Sequence, residues 1–220
     1  MGRHFYYAPA VMHICDWRIF KRLKSRCMMY QALQQFLNGL SPLSPATWEK
    51  VRLLFRERTL EKGEYFIREG QHAREIGFLA EGVIRAFYRN AQGQEYNKHF
   101  FTPPCFIGGY ASMITGQPNL IQQEALTDAR LLVAPAEDFR RLPDSCGDLE
   151  RAARILAERF FVAKEQREIE IVQLDAEARY RLFRERFPAL ETSIPQYHIA
   201  SYLGITPTQL SRIRRKSAGR

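Results

Sequence analysis

The C-terminal end of the chain carries side chains suited to contacts with a polyanion. Arg212 is followed by a basic run, and no acidic residue occurs from Thr192 onward. Arginine can donate two hydrogen bonds to guanine in the major groove of DNA, whereas cations further along a helix reach phosphates. We therefore predict contacts with double-stranded DNA by eight residues: Thr206, Thr208, Gln209, Ser211, Arg212, Arg214, Arg215 and Lys216.

Two short helices are expected to position these side chains. Apolar residues follow helical spacing through residues 193–216, with one interruption between Leu203 and Ile205. Gly204 lies at this interruption and can adopt the left-handed conformation that ends a helix. Ala200 is small enough for two crossing helices to approach each other. The pattern predicts a helix-turn-helix, and a helical hairpin of another fold is the alternative.

Each of these helices has its own start signal. Thr206 and Gln209 have the spacing of a capping box, with Pro207 in the first helical position. Ser193 and Gln196 repeat the same spacing upstream. We therefore predict a capping box at the start of each helix.

Positive charge is concentrated at the two ends of the chain. The 220 residues have a formal net charge of +9. Residues 1–27 hold six Lys/Arg against one Asp, and residues 178–220 hold nine against two Glu, so the part between them is slightly acidic. A basic C-terminal module beside an acidic body indicates a polyanionic partner that one domain binds.

The sequence pattern of residues 60–142 is typical of an antiparallel β domain. Short runs rich in β-branched and aromatic residues alternate with glycines, which predicts a barrel or jelly roll. The predicted strands are 65–68, 76–80, 83–89, 95–101, 121–126 and 130–133.

A long helix is expected to follow, because neither glycine nor proline occurs from residue 148 to residue 187. Its apolar residues form two stripes, so one face can lie on the barrel and the other on a partner helix. A long helix buried within a monomer is the alternative. The residues predicted to form a homodimer are Leu149, Leu156, Phe160 and Ala163.

These patterns predict an α+β fold in four parts. Residues 1–27 form a leader that is disordered or not translated, and residues 28–147 form the β jelly-roll domain. Residues 148–174 form the dimerisation helix, and residues 175–220 form the helix-turn-helix domain.

Several other classes of protein are not expected. No two of the four cysteines have C-x-x-C spacing; they are Cys15, Cys27, Cys105 and Cys146. We therefore predict neither a zinc site nor a disulfide framework, and no cofactor. No apolar run approaches the roughly 18 residues that span a bilayer. The N-terminal pattern does not fit a signal peptide. We expect a cytoplasmic protein without membrane contact.

In this order, a jelly roll, a long helix and a helix-turn-helix resemble the Crp/Fnr family of bacterial transcription regulators. The resemblance covers roughly residues 30–216. Its most specific parts are LEKGEYFIREGQ at 60–71, IGFLAEGVIRAFYRNAQGQE at 76–95 and IPQYHIASYLGITPTQLSRIRRK at 194–216. It implies a barrel of the cyclic-nucleotide-binding type.

One segment departs from the pattern of the cyclic-AMP-binding members, in which a Glu, an Arg and a Ser hold the ribose and the phosphate. Here Gly109, Asn119 and Leu120 stand at those positions, after a matching Gly108. A buried phosphate needs a charge-assisted partner, and these residues supply none. The resemblance therefore implies a degenerate effector cassette at these four residues. We do not expect cyclic-nucleotide binding of the usual kind, and another small-molecule effector is left open.

The second predicted helix also departs from the family members that read a TGTGA-type half-site. Those members have Arg and Glu where this chain has Pro207 and Thr208, and only Arg212 matches. Two other functions remain as alternatives: a cyclic-nucleotide signalling module without DNA binding, and a cupin-like metal enzyme. A cupin needs several histidines and a Glu, and the barrel holds only His72 and His99. No catalytic residue is predicted.

Overall fold

The centre of the protein is an antiparallel β domain. The structure, a computed structural model, describes the backbone of residues 15–218 and the side chains of residues 27–217. The strands are β1 (Arg56–Leu60), β2 (Tyr65–Ile67), β3 (Glu75–Glu81), β4 (Ile84–Arg89), β5 (Glu95–Phe101), β6 (Cys105–Ile107), β7 (Gln122–Ala125) and β8 (Ala129–Pro135). They form two four-stranded sheets, β1-β8-β3-β6 and β2-β7-β4-β5, in which neighbours run antiparallel.

The predicted β domain is thus confirmed, and all six predicted strands occur. The sequence pattern missed β1 and β6. In β1 the run RERTL carries three charges that obscure its alternation, and β6 is only three residues long. Side chains from both sheets meet in one core, where Leu79, Ile84 and Leu131 are fully buried. Burying each such side chain stabilises the fold by about 1.5–3 kcal/mol.

Two N-terminal helices, α1 (Cys15–Asn38) and α2 (Pro45–Leu54), cover the sheet that contains β3 and β8. Leu33 and Val51 are fully buried there against Phe78. Helix α1 begins at Cys15, so it crosses the predicted boundary between the leader and the barrel domain. The remainder of the predicted leader, residues 1–14, lies outside the described residues.

The barrel leads into the long helix through short elements. They are α3 (Tyr110–Thr115) between β6 and β7, then α4 (Ala136–Arg141) and a 3₁₀ turn (Leu142–Ser145) after β8. Helix α5 (Gly147–Gln173) matches the predicted long helix to within one residue at each end. Its start is tied to α2, because the Asp148 carboxylate accepts hydrogen bonds from Ser44 N (2.7 Å) and from Thr47 Oγ1 (2.8 Å).

The chain ends in four helices: α6 (Ala176–Arg186), α7 (Leu190–Ser193), α8 (Gln196–Leu203) and α9 (Pro207–Ala218). Asp175 caps α6 by accepting a hydrogen bond from Ala178 N (2.8 Å). Tyr180, Ile199 and Leu210 are buried in the core that these helices share. Within the described part of the chain, no helix has the length and hydrophobicity needed to cross a membrane.

Candidate nucleic-acid interface

A tight turn at Gly204 joins α8 to α9. Gly204 has φ 69° and ψ 34°, and its N–H and that of Ile205 donate to carbonyls of the last turn of α8. A residue with a Cβ is strained in this left-handed conformation, so glycine is the suitable residue here. The break between the two helices lies where the sequence predicts it.

The start of α9 is the predicted capping box. Thr206 N donates to Gln209 Oε1 (2.9 Å), and Gln209 N donates to Thr206 Oγ1 (3.2 Å), so each residue caps the other. The capping box predicted at Ser193 is wrong. Ser193 ends α7 and its hydroxyl donates to Ala189 O (2.7 Å), while Pro195 precedes α8 without a side-chain cap.

Helix α9 presents the predicted polar face to solvent. Leu210 is buried against the other helices, and Ile213 is half-buried. All of the predicted contact residues except the half-buried Arg214 are exposed: Thr206, Thr208, Gln209, Ser211, Arg212, Arg215 and Lys216.

The cations of α9 are not equivalent. Arg214 forms an ion pair with Glu191 (3.3 Å) and Lys216 forms one with Glu177 (2.6 Å). Neither Arg212 nor Arg215 has a hydrogen-bond or ion-pair partner within the portion of the chain that the structure describes. These two guanidinium groups can therefore bind a phosphate or a base without first breaking a contact.

The C-terminal helices pack on the outer face of the sheet that contains β4, β5 and β7. Phe100 of β5 is fully buried and touches three rings of the helical domain. Its ring centroid lies 5.4 Å from that of Tyr202, 5.9 Å from that of Phe187 and 6.2 Å from that of Phe183. The helices that form the candidate nucleic-acid interface therefore pack directly on the barrel.

Arg85 of β4 is a buried charge at this junction, with 5% of its surface exposed. Its Nε and Nη2 donate to Glu124 Oε2 at 2.8 and 2.5 Å, and its Nη1 forms an ion pair with Glu95 (2.6 Å). The same Nη1 also lies 3.3 Å from Asn97 Oδ1 and 3.3 Å from Nδ1 of His198 in α8. One guanidinium group thus connects three strands of the barrel with α8.

Burial, and then the adjacent Arg85 cation, lower the pKa of His198 to about 4. The ring is therefore neutral at pH 7. Its Nδ1 faces two donors, Arg85 Nη1 and Asn97 Nδ2, so Nδ1 is the accepting nitrogen and the proton lies on Nε2.

The sequence analysis did not single out Arg85. Strand β4 pairs with β5 through a β-bulge at Lys98, so that Phe87 lies opposite Asn97 while Arg85 lies opposite Phe100. The bulge places Asn97 and Phe100 on the same face, although their separation of three residues would otherwise put them on opposite faces. The signal available in the sequence was that β4 has apolar residues on both faces, so another element must cover its outer face.

Helix α5 holds the same helices from a second side. Arg167 Nη2 donates to Tyr202 O (2.5 Å), and its guanidinium carbon lies 4.0 Å from the centroid of the Tyr202 ring. Arg186 of α6 forms an ion pair with Glu170 (2.6 Å). The domain that carries α9 is therefore fixed to both the barrel and α5.

The apolar residues of α5 fall into two groups. Leu149 is 1% exposed in the core between α1, α2 and the sheet that contains β3 and β8, and Leu156 is partly buried against the same core, so these two predicted dimer residues pack within their own chain. Phe160 and Ala163 are exposed, as predicted for a partner surface. Further large apolar side chains are exposed on the same helix: Phe161, Val162, Ile169, Ile171 and Val172.

The effector cassette of the barrel is filled by its own side chains. Asn119 is 4% exposed and its Nδ2 donates to Ile121 O (2.5 Å) and Arg68 O (3.3 Å). A Cβ on Gly109 would lie 3.0 Å from Asn119 Oδ1 and 3.1 Å from Ile67 Cδ1, so a larger residue does not fit without movement. Gly108 accepts a hydrogen bond from the side chain of Gln123 (2.8 Å), whereas Leu120 is exposed.

No group of three or more His, Cys, Asp or Glu within the described ranges has the arrangement of a metal site. His99 packs edge-on against Phe101 and Phe187. Burial, and then Arg186 nearby, lower the pKa of His99 to about 4. Its surroundings are those of a neutral ring in an aromatic cluster.

The cyclic nucleotide-binding domain family matches residues 57–146. The fold is similar to FixK2 from Bradyrhizobium japonicum, with a TM-score of 0.64 at 16% identity over 74% of this chain and 83% of that one. It is also similar to CLP, the c-di-GMP responsive global regulator of Xanthomonas campestris, with a TM-score of 0.63 at 16% identity over 80% and 92%.

A third similar structure, from Eubacterium rectale, is described as a transcriptional regulator of the crp/fnr family. It has a TM-score of 0.64 at 17% identity over 79% of this chain and 83% of that one. No curated protein sequence matches the chain. The resemblance predicted from the sequence is confirmed, since residues 57–146 match the cyclic nucleotide-binding domain family and the chain has the fold of the Crp/Fnr regulators.

Proposed function

We propose that the protein is a Crp/Fnr-type regulator of transcription that binds specific sites in double-stranded DNA as a homodimer. The observation that carries the proposal is the exposed face of α9. This face is capped at its N-terminus, contains no acidic residue, and holds Arg212 without a hydrogen-bond or ion-pair partner among the described residues. The first turn of such a helix enters the major groove, where Arg212 reaches a base edge and the cations beyond it reach the backbone.

The exposed apolar side chains of α5 support the dimer. Phe160, Phe161 and Val172 are 44%, 68% and 84% exposed, and water around such large apolar groups is unfavourable. A second copy of α5 would cover them and would relate the two α9 helices by a two-fold axis. The dimer would then require two inverted half-sites about 10 base pairs apart, and an insertion of about five base pairs between them would abolish tight binding.

The cassette does not bind cyclic nucleotides in the usual way in this proposal. The support is chemical, because Asn119 stands where the cyclic-AMP-binding members have the phosphate-binding Arg, and its side chain already donates to Ile121 O. The domain match at residues 57–146 keeps cyclic-nucleotide signalling as the second candidate function. Calorimetric titration with cyclic AMP and cyclic GMP distinguishes the two, since micromolar or tighter binding would favour the second.

Selection of binding sites from random duplex DNA tests the proposal directly. Arg212→Ala is expected to cost about 1–3 kcal/mol on the selected site and to relax the preference at one base pair per half-site, with little change on random DNA. Arg140→Ala, which removes an exposed arginine of the barrel domain, is the matched control and should leave the preference unchanged. An Arg212→Ala protein that keeps full preference would show that α9 does not read bases.

A further inference from the structure

We propose that Arg85 of the barrel is a positioning residue for the DNA-reading helices. It sets the orientation of α8 and α9 relative to α5, and thereby the spacing of the two half-sites that the dimer accepts. The inference rests on the proposed function, and it gives the sensor-type barrel a role in site selection that requires no bound effector.

The first step is that the barrel fixes the plane of the Arg85 guanidinium. Glu124 of β7 accepts from its Nε and Nη2, and Glu95 of β5 accepts from its Nη1. A planar group held by two carboxylates on the strands that flank β4 cannot rotate, since each rotation would break a charge-assisted hydrogen bond. The Nη1 atom therefore points at a fixed place, which His198 of α8 occupies.

The second step is that α8 has a defined position along β5. Asn97 Nδ2 donates to His198 O (2.9 Å), and Asn97 N donates to Ser201 Oγ (2.9 Å). The Ser201 hydroxyl in turn donates to Glu95 O (2.8 Å). These bonds hold α8 at Glu95 and Asn97 of β5. Any shift of α8 along that strand would leave buried polar groups unpaired.

The position of α8 also determines the position of α9, because the turn that joins the two helices is short. Only Gly204, Ile205 and Thr206 lie between α8 and α9, and hydrogen bonds close the turn that they form. On the other side, the helical domain continues from α5 through the short link of Leu174 and Asp175. Without Arg85, the contacts of Asn97 and Phe100 with the helical domain and those of Arg167 and Arg186 remain, so the domain stays attached while its orientation is less sharply fixed.

The test uses the full chain and a DNA library with two inverted copies of the selected half-site separated by a variable spacer. The wild type is expected to prefer one spacing by about tenfold over neighbouring spacings. Arg85→Met should keep the same base preference in each half-site while its preference among spacings falls to about threefold or less. Arg85→Lys, which keeps the charge without the fork, should lie between the two.

Arg58→Met is the matched control. Arg58 forms a 2.8 Å ion pair with Glu75, and both residues lie in the other sheet, β1-β8-β3-β6. This variant should lose stability without a change in spacing preference. Because Arg85→Met leaves Glu124 without its arginine and leaves Glu95 with Arg89 alone, Ser201→Ala is the second test. It removes two hydrogen bonds across the junction, changes no charge, and should also broaden the accepted spacing.

The outcomes separate the two proposals. A wild type that selects no sequence from random DNA contradicts the proposed function. A wild type that selects a spaced site, together with Arg85→Met and Ser201→Ala proteins that keep its sharp spacing preference, overturns the role of Arg85. An equal loss of affinity at every spacing would likewise overturn it, because it would show that Arg85 contributes only to stability.

Discussion

The effector cassette and α9 are the two places where the family resemblance implies binding, and their polar groups are engaged differently. In the cassette, the side chains of Asn119 and Gln123 donate to backbone carbonyls of their own chain. On α9, Arg212 and Arg215 contact no partner among the described residues. A ligand gains little from a polar group that is already satisfied, because one hydrogen bond replaces another. The comparison indicates that Arg212 and Arg215 of α9 are more available to a ligand than the Asn119 amide of the cassette.

The largest expected effect comes from breaking the proposed dimer, on which the proposed DNA binding by α9 depends. Charges placed on the exposed face of α5 by Phe161→Glu with Val172→Glu should give a monomer. Specific DNA binding should then fall by about a hundredfold or more, because each half-site is bound alone. Light scattering after gel filtration measures the mass, and gel shift measures the affinity.

Arg159→Glu is the control for this prediction, since it changes the charge of an exposed polar position on the same helix. It should leave the mass unchanged. A folded Phe161→Glu, Val172→Glu protein of wild-type mass would show that α5 is not the interface.

The junction between the barrel and α8 should weaken in acid. The pKa of His198 is lowered to about 4 from its usual 6.5, by burial and by Arg85 of β4, with Glu95 of β5 opposing. The unfolded chain therefore takes up a proton between about pH 6.5 and pH 4 that the folded chain does not, and stability falls as pH falls through this window. By linkage, His198 contributes as much as about 3 kcal/mol to this loss.

Urea unfolding at a series of pH values measures the effect, and His198→Gln should flatten part of the slope. His99, whose pKa is also lowered to about 4, should supply a remaining slope of the same sign. A His198→Gln protein with the wild-type pH dependence would show that His198 is not held neutral by the fold.

A substitution in the effector cassette should change the stability of the fold and should not change ligand binding. Asn119→Ala leaves the carbonyls of Arg68 and Ile121 without their buried donor, so it should lower the free energy of unfolding by about 1–3 kcal/mol. It should not create cyclic-AMP binding. Unfolding titrations and calorimetry check both points, and an unchanged stability would show that Asn119 does not close the cassette.

The features that the sequence predicts correctly depend on residues that are close together in the chain. The break at Gly204 and the cap of Thr206 and Gln209 depend on residues within one turn of each other, so they were correct. The cap predicted at Ser193 failed because Pro195 makes α8 begin later and Ser193 belongs to α7. Most of the predicted contact residues are exposed for the same local reason, since the apolar spacing of α9 decides which face packs inward.

What the sequence missed depends on contacts between distant parts of the chain. Helical spacing shows that Leu149 faces something apolar, but it does not distinguish the barrel of the same chain from a partner helix. The role of Arg85 needs the pairing of β4 with both β5 and β7 and the bulge at Lys98. Neither pairing nor bulge is encoded in a pattern within one strand.

The smallest expected effect separates two cations of α9. Arg215 has no partner among the described residues, whereas Lys216 must leave Glu177 before it can bind a phosphate. Arg215→Ala should weaken binding to all DNA sequences about equally and lower the slope of log affinity against log salt by about one phosphate contact. Lys216→Ala should lower that slope by less, since part of the attraction to phosphate is already offset by Glu177. Titrations of random duplex DNA at several salt concentrations measure both slopes, and equal reductions would mean that the Lys216–Glu177 pair does not persist in solution.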